Sequence, residues 1–89
     1  MPKTSKILIV EDERALRDIL VTRFQNEGFD VISAEDGGKG LVVALEKKPD
    51  IILLDIMMPN VSGIDMLRQL RTYEDGKNMS VIVTGKPSF

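Results

Sequence analysis

The sequence predicts an α/β domain built on a doubly wound parallel sheet. Four short apolar segments alternate with three segments of helical spacing, in the order βαβαβαβ. Two of these segments, residues 7–10 and 51–54, are continuous apolar runs, which are typical of strands covered on both faces. Strands that alternate with helices pair in parallel and place helices on both faces of the sheet.

The predicted strands are residues 7–10, 31–34, 51–54 and 79–84, and the predicted helical segments are residues 14–25, 41–45 and 64–70. Gly28 follows the first helix, where glycine can adopt the left-handed conformation that ends a helix. Lys47 and Lys48 lie at the end of the second helix, where the helix dipole favours cations. Pro49 ends that helix because proline cannot continue it.

Two local features are predicted in the first half of the chain. Asp36, Gly37 and Gly38 have the composition of a turn before the second helix. The first helix carries four apolar residues at helical spacing, which predicts one face turned toward the sheet. Those residues are Leu16, Ile19, Leu20 and Phe24.

Length and composition are those of one small globular domain. The chain has 89 residues, of which 43% are hydrophobic and 29% are charged. Its net charge of -2 argues against direct nucleic-acid binding. No apolar run approaches the ~20 residues of a membrane helix, and the N-terminus does not resemble a secretion signal. Cysteine and histidine are absent, which excludes disulfides and a phosphohistidine on this chain, and we expect a cytoplasmic protein.

Polar residues follow three of the predicted strands. Glu11, Asp12 and Glu13 follow the first strand, Asp55 follows the third, and Thr84 ends the fourth. The carboxyl ends of parallel strands meet at one edge of the sheet, so these side chains are expected to lie close together. Clustered carboxylates repel one another unless a cation lies among them, and hard oxygen ligands suit Mg²⁺. An aspartate beside such an ion can attack phosphorus and form an aspartyl-phosphate.

Each of these residues also has a simpler interpretation. An aspartate at a strand end is often a turn former. The acidic run from Glu11 to Glu13 could act only on the dipole of the first helix, and Thr84 could be a strand residue that caps the next segment. Their occurrence together at three strand ends favours a functional site.

Four segments resemble the receiver domain of two-component response regulators. They are KILIVEDE (6–13), AEDGGKGL (34–41), IILLDIMMPNVSGID (51–65) and VIVTG (81–85). The similarity covers nearly the whole chain, and the D-x-M-M-P form with its later glycine is specific. It implies a flavodoxin-like fold, and a phosphoryl group taken from a histidine kinase or phosphotransfer protein and lost by hydrolysis.

The resemblance also implies a role for individual residues. Asp55 is the expected phospho-acceptor, and Glu11 and Asp12 are the acidic pair that binds Mg²⁺ with it. The Met57 backbone carbonyl is expected to supply a further metal ligand. The Thr84 hydroxyl would contact the phosphoryl group, and Gly85 would leave room for it.

The sequence departs from the family after the fourth strand. By this reading residues 1–89 form a truncated receiver domain that lacks the fourth helix, the fifth strand and the fifth helix. The family has a lysine at the end of its fifth strand. Lys86 could be that lysine if an internal deletion had joined it to the fourth strand, but a residue of the loop after the fourth strand is the simpler interpretation. Phe89 is a poor counterpart of the family's switch aromatic.

The leading interpretation is therefore a signalling module rather than an enzyme, with any response passing through a partner. The alternative is a truncated or engineered fragment with impaired phosphorylation, acting through self-association or partner binding. An exposed edge at the fourth strand predicts a homodimer or a domain swap. An aspartyl-phosphate phosphatase is disfavoured because Asp55-Ile56-Met57 lacks the second aspartate of D-x-D-x-T.

Overall fold

The structure is a computed structural model that describes residues 4–56 and 63–84, and these residues form one parallel sheet flanked by helices. Its elements are β1 (Lys6–Val10), α1 (Arg14–Asn26), β2 (Asp30–Ala34), α2 (Gly37–Lys47), β3 (Ile51–Asp55), α3 (Gly63–Leu70) and β4 (Ser80–Thr84). Within the described ranges, no helix is long and apolar enough to span a bilayer.

The strand order is β2-β1-β3-β4, and every neighbouring pair is parallel. This order confirms the predicted doubly wound sheet. The strand boundaries differ from the sequence prediction by one residue: β1 and β2 begin one residue earlier, β3 continues to Asp55, and β4 begins at Ser80. β2 lies on one side of β1, whereas β3 and β4 lie on the other side. The ends of β1 and β3 are therefore neighbours at the centre of the sheet.

The core lies between the sheet and the two helices α2 and α3. Alternate strand residues point to this side, and they pack with one small residue of α2 and two large residues of α3. The buried cluster consists of Leu8, Val10, Ala34, Ala44, Ile52, Leu54, Met66 and Leu70. Helix α1 packs against β1 and β2, where Ile7 and Ile9 point away from this cluster and are also buried.

The prediction that Ile19 belongs to the buried face of α1 is wrong. Its side chain is 63% exposed, whereas Leu16, Leu20 and Phe24 are half-buried. Leu16, Leu20 and Phe24 are spaced four residues apart and therefore lie in one row along the helix. Ile19 lies about 100° around the helix from Leu20, which turns it toward solvent.

The prediction of a turn at Asp36, Gly37 and Gly38 is also wrong for the two glycines. Gly37 begins α2, and Gly38 lies in its first turn. Asp36 is the N-cap residue, and its carboxylate accepts a hydrogen bond from the backbone N–H of Lys39 at 2.8 Å. This cap satisfies a backbone donor at the helix start, which compensates for the poor helix propensity of the glycines.

The predicted ends of α1 and α2 are confirmed. Gly28 lies two residues after the last residue of α1 and has a φ of 96°, a conformation that favours glycine. Lys48 ends α2 in the left-handed conformation, with a φ of 47°, immediately before Pro49.

The segment between α3 and β4 is held by Arg71. Its guanidinium Nη1 donates to the backbone carbonyl oxygens of Gly76 at 2.9 Å and Met79 at 2.7 Å. A charged donor shared between two carbonyl groups fixes the path of the chain into β4. The start of β4 is thereby held in place, and its pairing with β3 brings the end of β4 beside the end of β3.

Candidate functional site

The carboxyl ends of β1, β3 and β4 form one edge of the sheet, as the sequence predicts. Val10 is in register with Leu54, and Asp55 is in register with Thr84. Glu11 directly follows Val10, and its backbone N–H donates to the carbonyl oxygen of Ala34 at 3.1 Å. The acidic residues after β1 therefore lie beside Asp55 at the end of β3.

Three carboxylates meet at this edge. One oxygen from each of Glu11, Asp12 and Asp55 lies within 4.8 Å of the other two. Glu11 and Asp55 are only 3% and 2% exposed, while Asp12 is half-buried. The site is thus a partly enclosed acidic pocket with Asp12 at its opening to solvent.

Glu11 is also held by the loop that follows it. The backbone N–H of Glu13 donates to Glu11 Oε2 at 3.0 Å. This bond fixes the direction of the Glu11 side chain through one of its two carboxylate oxygens. This contact is not predictable from residue types, because it depends on the backbone geometry of the β1–α1 loop.

The donor set fits a hard divalent cation. Carboxylate oxygens are the ligands that Mg²⁺ takes in proteins, and Mg²⁺ typically keeps several waters beside one or two carboxylates. Burial of two acidic side chains is unfavourable unless charge compensation is available, which a cation at this position would supply. The chemistry of the three residues is therefore compatible with the predicted Mg²⁺.

Thr84 lies next to Asp55 in the neighbouring strand. Its carbonyl oxygen accepts a hydrogen bond from the Ile56 backbone N–H at 3.1 Å, which ties the two strand ends together. Its hydroxyl Oγ1 makes a long contact of 3.5 Å with the carbonyl oxygen of Leu54. A bond at this length is weak, so the hydroxyl can exchange it for a better acceptor nearby.

Gly63 provides a close approach that sequence reasoning did not explain. A Cβ at this position would lie 2.5 Å from the carbonyl oxygen of Asp55 and 2.6 Å from the Cα of Ile56. Both contacts are with backbone atoms, which cannot move aside as a side chain can. Only glycine allows α3 to begin directly against the end of β3.

A surface groove of about 660 Å³ lies beside the site, along the end of β2. Glu35 and Lys39 line it and form an exposed i, i+4 ion pair. The hydrogen bond and charge of Lys39 lower the pKa of Glu35, and those of Glu35 raise the pKa of Lys39. Both side chains are largely exposed, so the pair contributes little to stability.

Other predicted residues lie outside the described part of the chain. These are Met57, Gly85, Lys86 and Phe89.

The comparison with protein-family models decides the family. The model of the response regulator receiver domain matches residues 7–88. The chain belongs to this family. It is thus the receiver domain of a two-component response regulator, and receiver domains are signalling modules.

A curated relative agrees with this assignment. Over 66 residues the receiver is 44% identical to the alkaline phosphatase synthesis transcriptional regulatory protein PhoP of Bacillus subtilis, a match that covers 74% of this chain. The chain spans 28% of the length of that relative.

Solved structures show the same fold. Response regulator protein TrrA from Thermotoga maritima, in complex with Mg²⁺ and BeF, is 30% identical with a TM-score of 0.86, covering 96% of this chain and 72% of that chain. The receiver domain of a sensor histidine kinase from Pseudomonas aeruginosa, with magnesium in its active site cleft, is 26% identical with a TM-score of 0.86. That match covers 91% of this chain and 66% of the Pseudomonas chain.

The chemotaxis response regulator CheY4 of Vibrio cholerae is 24% identical, has a TM-score of 0.90 and shares the fold. That match covers 98% of this chain and 72% of the CheY4 chain. The described residues thus match a CheY-like, flavodoxin-type receiver without its C-terminal elements.

Proposed function

We propose that this receiver accepts a phosphoryl group on Asp55, with Mg²⁺ bound by Glu11, Asp12 and Asp55. The observation that carries the proposal is the meeting of three carboxylate oxygens within 4.8 Å at the ends of two central strands. The TrrA and Pseudomonas receivers, which contain magnesium, give the proposal independent support. The phosphoryl donor would be a histidine kinase or a phosphotransfer protein.

In the proposed reaction an oxygen of Asp55 attacks the phosphorus of a phosphohistidine donor. The P–O bond forms as the P–N bond breaks, and the electron pair of that bond returns to the imidazole of the donor. Bound Mg²⁺ would neutralise negative charge on the transferring group. Thr84 Oγ1 would donate a hydrogen bond to a phosphoryl oxygen in place of its weak contact with Leu54.

Four further assignments belong to the same proposal. The Met57 carbonyl would complete the metal ligands, and Gly85 would leave space for the phosphoryl group. Residues 1–89 would act as one receiver unit, and its output would pass through a protein partner rather than through direct nucleic-acid binding. The cytoplasmic location stays a prediction.

Replacing Asp55 with asparagine is expected to abolish phosphorylation, because the amide oxygen is not a nucleophile toward phosphorus. Intact mass after incubation with Mg²⁺ and acetyl phosphate should show one added phosphoryl group on the original chain and none on Asp55→Asn. The matched control is Asp65→Asn, an exposed aspartate of α3 paired with Arg68, which should still gain the group. A phosphoryl group on Asp55→Asn, or none on the original chain, would contradict the proposal.

A second candidate function, self-association through β4, is favoured by the chemistry of its outer edge. Within the described ranges, no strand pairs with that edge. Ser80–Thr84 contains neither a charge nor a proline, the features that protect strand edges from pairing. The opposite edge strand differs, because β2 begins at Asp30 and is followed by Glu35.

The hydrogen-bond pattern defines how two copies would pair. Thr84 accepts a bond from Ile56, which directly follows β3, so Thr84 and Ile82 direct their peptide groups toward β3. Val81 and Val83 therefore direct theirs outward. Antiparallel pairing about a two-fold axis would join Val81 to Val83 of the second copy and place the two Ile82 side chains opposite each other. Ile82 is 55% exposed in one chain and would be partly covered by this contact.

Charges at position 82 test this arrangement. The original chain is expected to show a light-scattering mass that rises from one chain toward two with concentration. Ile82→Lys and Ile82→Glu should each remain monomeric, because the two like charges would repel each other across the two-fold axis. An equimolar mixture of the two variants should associate again, because it pairs opposite charges. Ile19→Lys, which changes another exposed isoleucine, should associate like the original. A single-chain mass for the original chain at every concentration would refute this candidate.

A further inference from the structure

We propose that Arg17 is a positioning residue for the acidic site, acting through the backbone of the β1–α1 loop. Its guanidinium Nη1 donates to the carbonyl oxygen of Glu11 at 2.9 Å and reaches that of Asp12 at 3.4 Å. These are the two residues whose carboxylates join Asp55 in the cluster. The inference rests on the proposed function, because it concerns the affinity of the same site for Mg²⁺.

Arg17 differs from the other two arginines of α1 in its contacts. Arg14 and Arg23 pair with acidic residues four positions along the helix, and their side chains are 87% and 73% exposed. Arg17 is half-buried and turns back toward the loop that precedes its own helix.

The loop between β1 and α1 is short, and its path decides where the carboxylates point. It is held at its start by the bond from the Glu11 N–H to Ala34, and internally by the bond from the Glu13 N–H to Glu11 Oε2. Arg17 adds a third restraint, on the carbonyl side of the loop. Hydrogen bonds from a charged donor are stronger than those from a neutral donor, so Arg17 restrains the backbone of this short loop strongly. Without it the peptide planes of Glu11 and Asp12 can rotate, and their side chains move with them.

Two effects of the Arg17 charge have opposite signs, which makes the inference testable. As a nearby positive charge, Arg17 opposes the binding of a cation, so its removal would raise the affinity for Mg²⁺. As a positioning residue, it holds ligands in place, so its removal would lower the affinity. Loss of residues that orient metal ligands typically lowers metal affinity by about 10–100-fold, more than a solvent-screened charge would raise it.

The variants Arg17→Met and Arg17→Lys separate these effects. Arg17→Met removes the charge and the hydrogen bonds, whereas Arg17→Lys keeps the charge but loses the planar guanidinium whose Nη1 reaches both carbonyl oxygens. The control is Arg14→Met, which makes the same charge change one turn earlier on α1 and removes only an exposed ion pair. Mg²⁺ affinity is measured by calorimetry on the folded proteins, with unfolding followed separately.

We expect Arg17→Met to bind Mg²⁺ about tenfold more weakly than the original chain, Arg17→Lys to fall between them, and Arg14→Met to be unchanged. An unchanged or higher affinity in Arg17→Met would overturn the inference. A second measurement needs no metal: hydrogen exchange of the Glu13 amide, which donates to Glu11 Oε2, should be faster in Arg17→Met and unchanged in Arg14→Met.

The two measurements distinguish failure of the inference from failure of the proposed function. If the original chain binds no Mg²⁺, the proposed metal site fails, and the exchange of the Glu13 amide still decides whether Arg17 orders the loop. If the original chain binds Mg²⁺ and Arg17→Met binds it equally well, only the inference about Arg17 fails.

Discussion

Replacing Gly63 with alanine is expected to disrupt both stability and phospho-acceptance, although it adds only one methyl group. The new Cβ would lie 2.5 Å from the Asp55 carbonyl oxygen and 2.6 Å from the Ile56 Cα, so the backbone of α3 or β3 must move. Overpacking of this kind lowers the free energy of unfolding by about 1–3 kcal/mol, occasionally more. A chain of this length has a total stability of roughly 4–13 kcal/mol, so the loss is a large fraction.

The same displacement acts on the chemistry, because Asp55 itself would shift. A misplacement of about 1 Å at a reacting group can slow a reaction by about 100-fold. Urea unfolding measures the stability of Gly63→Ala, and intact mass over time measures its rate of phosphorylation by acetyl phosphate with Mg²⁺. We expect the phosphorylation rate per folded molecule to fall by at least about tenfold, because Asp55 is displaced in the folded molecules themselves.

Gly40→Ala is the matched control for this substitution. A Cβ at Gly40 would lie 2.9 Å from Val10 Cγ2 and 3.2 Å from Met66 Sδ, which are side-chain atoms in the core. It should lower the free energy of unfolding without moving Asp55, because its close contacts are with core side chains and not with the backbone of Asp55 or Ile56. Equal phosphorylation rates per folded molecule in Gly63→Ala and Gly40→Ala would show that close approach at Gly63 does not position the site.

The parts of this structure that the sequence predicts are those set by local pattern. Continuous apolar runs predicted the buried strands β1 and β3, and the parallel arrangement of the strands predicted that Glu11, Asp12 and Asp55 lie at one edge of the sheet. Ile19 was misassigned because spacings of three and four residues spread over a wide arc of a helix, and only packing decides which part of the arc is covered.

Features that depend on backbone positions were not predictable. The turn expected at Gly37 and Gly38 rested on their composition, but the Asp36 cap outweighs it, and both glycines are helical. The contact of Arg17 with two carbonyl groups requires the exact path of a loop, which residue types do not encode. The need for Gly63 likewise arises only when α3 approaches the end of β3.

Magnesium is expected to stabilise this receiver against unfolding, and the stabilisation should depend on Asp55. A ligand that binds only the folded state raises the free energy of unfolding with the logarithm of its concentration, by about 2.7 kcal/mol at 100 times the dissociation constant. The three proposed ligands lie in the loop after β1 and at the end of β3, so they are brought together only when the sheet forms. The unfolded chain therefore competes weakly for the ion.

Urea unfolding at increasing Mg²⁺ tests this linkage without any phosphoryl donor. Each tenfold increase in Mg²⁺ concentration above the dissociation constant should raise the free energy of unfolding of the original chain by about 1.4 kcal/mol. The chain should therefore unfold at a higher urea concentration after each step. Asp55→Asn and Asp12→Asn should lose most of this dependence, and Asp65→Asn should keep it, because Asp65 lies on an exposed turn of α3 outside the cluster. An equal response in all four proteins would mean that Mg²⁺ acts by screening surface charge, and the acidic cluster would then not be its binding site. A response lost in Asp12→Asn but kept in Asp55→Asn would instead place the ion at the β1–α1 loop, away from the proposed phospho-acceptor.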